Sequence, residues 1–264
     1  MMRSLWTAAS GMRAQQVNVD TIANNVANIN TIGYKSQQAS FKSLLYQNLQ
    51  STSTNNAGEN KPVAAEVGLG SRVAAITSTF TQGNLTHVEN PFSVALEGDG
   101  FFQIRTESGE LQYTRDGSFE ISPVANGNML CTSDGNPVLD AYGNQIILPS
   151  NRVATDLVVN QDGTLAFPDG TGNPAVITDA NGRPVKFGIY QFNNPAGLSK
   201  EGSNNYSVTV ASGAAVAENG NAAVKQTKTH QYYTEASNVD VANEMVNLIV
   251  AQRAYEMNSK AIQA

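Results

Sequence analysis

The sequence predicts a mostly β protein with α-helical termini. The N- and C-terminal helices pair as a coiled-coil-like layer, and a central antiparallel β domain lies between them in the chain. Three observations carry this reading. Apolar residues recur every seven positions near both ends of the 264-residue chain. The middle instead holds short runs rich in β-branched and aromatic residues, broken by Asp-Gly and Asn-Gly pairs. Strands do not alternate with helical stretches and nothing repeats at a fixed period, which argues against a parallel α/β sheet and a solenoid.

At the N terminus, Leu5, Met12, Val19 and Val26 form one row of the heptad, and Ala8, Gln15, Ile22 and Ile29 form the other. All but Gln15 are apolar, the mark of a helix with a narrow buried seam. Gly33 follows where a left-handed cap is expected. Residues 1–35 are therefore read as the N-terminal helix of an inner domain. Residues 36–70 follow as a linker or extended connecting segment, most polar over residues 50–62.

Residues 71–224 are read as the antiparallel β domain. Its strands are legible in "SVALEGDGFFQI", "ELQYTRDGSFEI", "VKFGIYQF" and "NYSVTV". Asp99-Gly100, Asp116-Gly117, Asp134-Gly135 and Asp162-Gly163 punctuate them, as tight hairpins require residues that tolerate positive φ. Residues 225–264 hold a second connector and the C-terminal helix. Ser237 with Asp240 resembles a capping box. Val241, Leu248, Tyr255 and Ile262 then recur at sevens, flanked by Met245, Ile249 and Ala251.

Composition narrows the function. Net charge is −6 and the sequence pI is near 4.9, and no basic cluster stands out. This argues against nucleic acid or an anionic membrane as partner. No apolar run is long enough for a transmembrane helix or a cleavable secretion signal, so membrane insertion is not expected and export would use another route. Cys131 stands alone, which rules out an intramolecular disulfide framework.

The N-terminal helix poses a problem. Asn24, Asn25, Asn28 and Asn30 crowd its end, although asparagine is a poor helix former. The only charged residues from 1 to 33 are Arg3, Arg13 and Asp20, whereas a solvated helix normally carries a charged face. Two readings stand. The helices form a private stalk within one chain, or they pack against helices of other copies. In the second case neutral amides fix register and no unpaired charge is buried. Periodicity does not separate the two. On the second reading the subunit-packing residues are Leu5, Met12, Val19, Ile22, Asn24, Asn25, Val26, Asn28, Ile29, Val241, Met245, Leu248, Ile249, Tyr255 and Ile262.

Catalytic, cofactor and metal sites are not expected. His87 and His230 fall in no ligand-spaced motif. Cys131 sits in an alternating hairpin and is read as a small buried residue. "GDG" at Gly98 to Gly100 leads into a strand rather than a helix, so it is a turn and not a phosphate loop. Glu107, Glu110, Asp116 and Glu120 lie on neighbouring strands and keep one enzymatic alternative open. In it, a carbohydrate-binding or carbohydrate-acting β domain carries coiled-coil ends.

Three segments resemble the bacterial flagellar rod and hook protein family. "ANNVANINTIGYK" (Ala23 to Lys35) is similar to its N-terminal signature and "SNVDVANEMVNLIVAQRAYEMNSKAI" (Ser237 to Ile262) to its C-terminal one. "FTQGNLTHVENPFSVALEGDGFFQI" and "YTRDGSFEI" resemble the start of its shared β domain. The opening "SLWTAASGM" and the stretch from Leu44 to Val73 are most like the distal-rod members; hook and proximal-rod subunits are the alternatives within the family. The resemblance implies a helical tube of copies, with terminal helices inside and β domains outside, and other rod and hook proteins as partners. It also implies an extracytoplasmic place in the basal body and passage through the flagellar type III export apparatus without a cleaved signal. Family members usually extend the last helix beyond Ala264, so a truncated or shortened C terminus is expected.

Overall fold

The computed structural model describes residues 2–50, 65–125, 127–150, 152–168, 174–179, 182–221 and 224–263. The chain divides into two compact units. The first comprises residues 1–27, 37–79 and 239–264; the second comprises residues 28–36 and 80–238.

In the first unit, helix α1 (Met2–Ala27) packs on helix α2 (Val241–Gln263). Strand Gln37–Ser43 pairs antiparallel with Ser71–Ser78, and Tyr46–Gln50 pairs with Ala65–Gly68. The segment after α1 therefore folds back on itself as a β ribbon, and the ribbon packs on α1. The polar connector expected over residues 50–62 lies, beyond Gln50, outside the described residues.

Two helix-end expectations are corrected. Gly33 is left-handed (φ +69°) but lies beyond the end of α1 at Ala27, so it caps no helix. Its role is close approach: a Cβ there would stand 2.9 Å from the backbone of Arg115. Its N–H donates to the Glu235 carbonyl at 2.8 Å. The cap of α2 is Asp240 rather than a box begun by Ser237. Asp240 Oδ1 accepts from the Ala242 N–H at 3.0 Å, and Oδ2 accepts from the Asn243 amide at 2.7 Å. A carboxylate here answers orphan N–H groups and the positive end of the helix dipole together.

The second unit is antiparallel throughout. Its largest sheet runs in the order Ser199–Gly202, Asn205–Ser207, Leu111–Thr114, Phe101–Arg105, Ile189–Gln191, Val216–Ala217. Consecutive strand residues face opposite sides, and Phe101 and Phe102 use this to enter two separate cores. Phe102 joins Val94, Leu96, Ile104, Phe119 and Phe187 in one; Phe101 joins Tyr113, Phe192 and Tyr206 in the other. Burial pushes the Tyr206 phenol up to about 12, so the ring stays neutral and serves as core.

Two of the Asp-Gly pairs close hairpins in which the glycine alone takes positive φ. At Thr132–Asn136 and Asn160–Thr164, the fourth residue is a glycine with φ +83° or +82°. Each glycine N–H bonds back to the first residue's carbonyl, and the first residue's N–H bonds to the fifth. The aspartate before the glycine keeps negative φ, so these are three-residue loops with a glycine bulge. The two-residue turn with both φ positive is instead Ser203-Asn204.

One buried cluster within the second unit joins its first segment, residues 28–36, to the rest of it. Lys35, Arg115 and Glu235 have side chains no more than 1% exposed. Lys35 Nζ donates to Glu235 Oε1 at 2.6 Å and to the Thr81 carbonyl at 2.8 Å. Arg115 Nη1 lies 3.4 Å from Glu235 Oε2, Nη2 donates to the Gly98 carbonyl at 2.7 Å, and the guanidinium stands 5.0 Å over the Phe101 ring. The Gly83 N–H adds a third bond to the carboxylate, at 2.8 Å. Burial holds the Lys35 amine below the ordinary lysine range, an effect that the Glu235 charge opposes. Alongside, the Ser36 N–H donates to Asn238 Oδ1 at 2.7 Å, so the two crossings of the chain leave this unit side by side.

Glu235→Gln leaves two buried cations facing a neutral amide. We expect it to lower the stability of the second unit by about 3–5 kcal/mol, read as a shift in its urea midpoint. A loss below about 1 kcal/mol, the range of an exposed pair, would show that water reaches the cluster.

Candidate assembly surface

The helix pair is held by small residues and one amide. Ala8, Ala14, Thr21, Ile22 and Asn25 are the buried positions of α1, and Ala251 that of α2. At Gly11 a Cβ would stand 2.9 Å from Asn258 Nδ2, so the helices approach closely there. Gly11 meets Asn258 while Asn25 meets Glu244, which makes the helices antiparallel.

Asn25 is 1% exposed. Its Oδ1 accepts from the Gln37 N–H at 2.8 Å, and its Nδ2 donates to the Gln37 carbonyl at 2.8 Å and to Glu244 Oε1 at 2.9 Å. The amide thus acts as a strand partner for the first ribbon residue and ties the last turn of α1 to the first turn of α2. A side chain with both donor and acceptor is required; neither Asp nor Leu could replace it. Asn28, in the second unit, orders the turn beyond the helix, its Oδ1 accepting from Thr31 Oγ1 at 3.1 Å.

The other residues assigned to subunit packing fall into two groups. Met12, Val19, Val26, Ile29, Leu248 and Ile262 are half-buried, whereas Leu5, Asn24, Val241, Met245, Ile249 and Tyr255 are exposed. The structure adds exposed apolar residues that the heptad did not single out: Trp6, Val246, Val250 and Met257. Met245, Val246, Ile249, Val250 and Met257 follow one another at helical spacing and are all more than half exposed. An uncovered apolar stripe of this kind is unusual on a chain that acts alone. The sequence signal for it was available: the apolar positions of α2 exceed a single seam.

Val19, Tyr255, Gln16, Gln252 and Glu256 line an open cleft of about 400 Å³ between α1 and α2. No helix among the described residues is long and apolar enough to cross a membrane.

Several of the residues weighed for other chemistry make structural contacts, and others lie exposed. His230 Nε2 lies 2.8 Å from Glu97 Oε2 at the surface, and this bond draws the Glu97 carboxyl below its ordinary range. Cys131 is buried, and burial pushes its thiol up, away from a reactive thiolate. Burial also raises Asp116, but its Oδ1 accepts both the Ser118 N–H and Oγ–H, closing a turn. Glu107 and Glu110 are exposed in the turn closed by Thr106, and Glu120 is exposed at the start of a strand. Gly98 to Gly100 packs as a turn, its ends bonded to Arg115 and Thr227.

Comparison with known proteins is concordant over the whole chain. Residues 5–35 match the family described as flagella basal body rod protein. Residues 95–167 match the flagellar hook protein FlgE/F/G D1 domain, and residues 230–264 the flagellar basal body rod FlgEFG protein C-terminal region. The flagellar basal-body rod protein FlgG of Borreliella burgdorferi is 42% identical over 269 residues, covering 100% of this chain and 94% of that protein. FlgG of Caulobacter vibrioides is 38% identical over 265 residues, covering 99% and 94%. The flagellar hook-basal body complex protein FlhP of Bacillus subtilis is 33% identical over 269 residues, covering 99% and 95%.

The geometry at Asn25 gives a direct test. Asn25→Asp removes the donor to Gln37 and sets a carboxylate against Glu244. We expect the helix pair to lose about 2–4 kcal/mol, combining an unmade buried bond with like-charge repulsion. Adding Glu244→Gln should recover part of that loss in a double-mutant cycle read by helical circular dichroism. No recovery would mean that the two side chains do not meet.

Proposed function

We propose, since the chain belongs to the flagellar basal-body rod protein family, that it is a distal-rod subunit whose paired helices pack against copies of itself in an open helical tube. As a basal-body rod subunit it works alongside other rod and hook components. The finer reading is that the tube transmits torque from motor to hook and conducts exported subunits through its centre. Delivery is by the flagellar type III apparatus, without a cleaved signal, to an extracytoplasmic position. The role is structural, with no reaction at the β domain.

The observation that carries this reading is the uncovered stripe of Met245, Val246, Ile249, Val250 and Met257 on α2. The fold within one chain leaves it in water. At about 25 cal/mol per Å² of apolar area removed from water, covering such a stripe favours association. Heterologous contacts that do not close give a helical array rather than a ring. The scarcity of charge on α1 suits a helix surrounded by others.

The double variant Ile249→Asp/Val250→Asp changes two residues that are 56% and 61% exposed, so the monomer should fold and be exported as before. Electron microscopy of basal bodies should show no distal rod, and cells should lose motility. Normal rods containing the variant would refute packing through this face.

A further inference from the structure

We propose that Met245 and Met257 form a reversible modification site. Peroxide oxidation of their thioethers to sulfoxides bars a free copy from joining the array, and copies already joined shield both sulfurs. This rests on the packing of copies read above and adds the chemistry that regulates it.

The chain has six methionines. Among the described residues Met12 and Met129 are half-buried, whereas Met245 and Met257 are 56% and 66% exposed on α2. Oxidation follows access to the sulfur. The chain's one thiol does not compete. Cys131 is buried, its Sγ 3.5 Å from the Glu120 carbonyl, and burial pushes the thiol away from the thiolate that reacts.

Position makes the two exposed sulfurs consequential. Met245 begins the uncovered stripe and Met257 ends it, with Val246, Ile249 and Val250 between them. Met245 stands one turn from Ile249, and Met257 two turns from Val250 on the same face. A neighbouring surface that covers the three aliphatic residues therefore closes over one sulfur or both. As a thioether, methionine is apolar and adapts to an irregular partner. As a sulfoxide it carries a polar oxygen that costs free energy to bury without a donor. The stripe between the two is aliphatic and offers none.

The step balances. A sulfur lone pair attacks one peroxide oxygen, the O–O bond breaks and an S=O bond forms. The sulfur is oxidised by two electrons and hydrogen peroxide is reduced to water. In the reverse direction a sulfoxide reductase removes the oxygen as water and oxidises a pair of thiols to a disulfide, one enzyme serving each epimer. Both side chains lie outside the buried seam of the helix pair, so the fold of the free copy withstands either direction.

The test treats the purified full-length protein with hydrogen peroxide, once as free copies and once as polymer. Peptide mass spectrometry should find Met245 and Met257 of the free copies oxidised ahead of Met12 and Met129, and both protected in the polymer. Oxidised free copies should keep their circular dichroism and show a critical concentration raised roughly tenfold or more. Treatment with both sulfoxide reductases should bring it back. Met245→Leu/Met257→Leu keeps the stripe apolar at nearly the same volume, so it should polymerise like wild type and be indifferent to peroxide. Unchanged polymerisation of the oxidised wild type, loss of its circular dichroism, or a leucine variant as sensitive as wild type would overturn the proposal and leave the rod reading standing. If untreated wild type forms no polymer, or if polymer oxidises at these two residues as fast as free copies, packing through this stripe falls with it.

Discussion

A buried carboxylate governs how this chain is arranged. Glu235 is sealed inside the β unit with Lys35 and Arg115, and it must find its partners or leave an uncompensated charge in a dry interior. One partner comes from the segment that follows α1, the other from the turn after a central strand. The carboxylate comes from the segment that precedes α2. A hydrophobic trio of equal volume could match the stability of such a cluster, but it would accept other partners. An ion cluster is satisfied only when both chain crossings are seated at once. Gly33 belongs to the same constraint, because only a residue without a Cβ passes so close to the Arg115 backbone while donating to the Glu235 carbonyl.

The crowding of asparagines at the end of α1 follows from a related demand in the helical unit. There the chain leaves a helix and soon begins a β ribbon, so backbone groups at the junction have neither helix nor ladder to join. Asn25 offers Gln37 the donor and acceptor that a neighbouring strand would have offered, and with its remaining N–H reaches Glu244. Asn28 then orders the turn that follows. The cost in helix propensity, about 0.7 kcal/mol per residue at most, is smaller than that of leaving buried backbone groups unpaired. Amides that looked like contacts between copies thus begin as contacts within one. Asn24 and Asn30, the other two of the four, are exposed.

The fold class was legible because it rests on period. Sevens at both ends and alternation between them mark elements locally, and the terminal helices and the strands from Val94 to Tyr206 lie where those periods place them, except that α1 ends at Ala27 and leaves Ile29 outside it. Features that depend on pairing distant residues were not legible. Nothing local in "GYK", "TRDG" or "YTEA" states that Lys35, Arg115 and Glu235 share one cavity. The ribbon after α1 was hidden for another reason: its strand residues are largely exposed, so Gln37–Ser43 lacks the apolar alternation of a half-buried strand. The turns were half legible, with glycine marking each site but not whether two or three residues close the loop. On the helices, the rows of sevens were easily seen, while of the second apolar stripe of α2 only Met245 and Ile249 were read and Val246, Val250 and Met257 were not.

The close helix contact and the uncovered stripe have a common origin. Ala8, Gly11, Ala14 and Ala251 bring two backbones together, and Ile22 is the one large apolar residue fully buried on either helix among the described residues. The bulky residues Met245, Ile249 and Met257 are correspondingly left outside. Had the large residues filled the private seam, the pair would be more stable alone and would have nothing to offer a neighbour. Small residues within and large ones without divide the burial so that a single chain completes only part of it. That division, rather than any individual contact, is what the proposed packing between copies rests on, and the low charge of α1 is compatible with it.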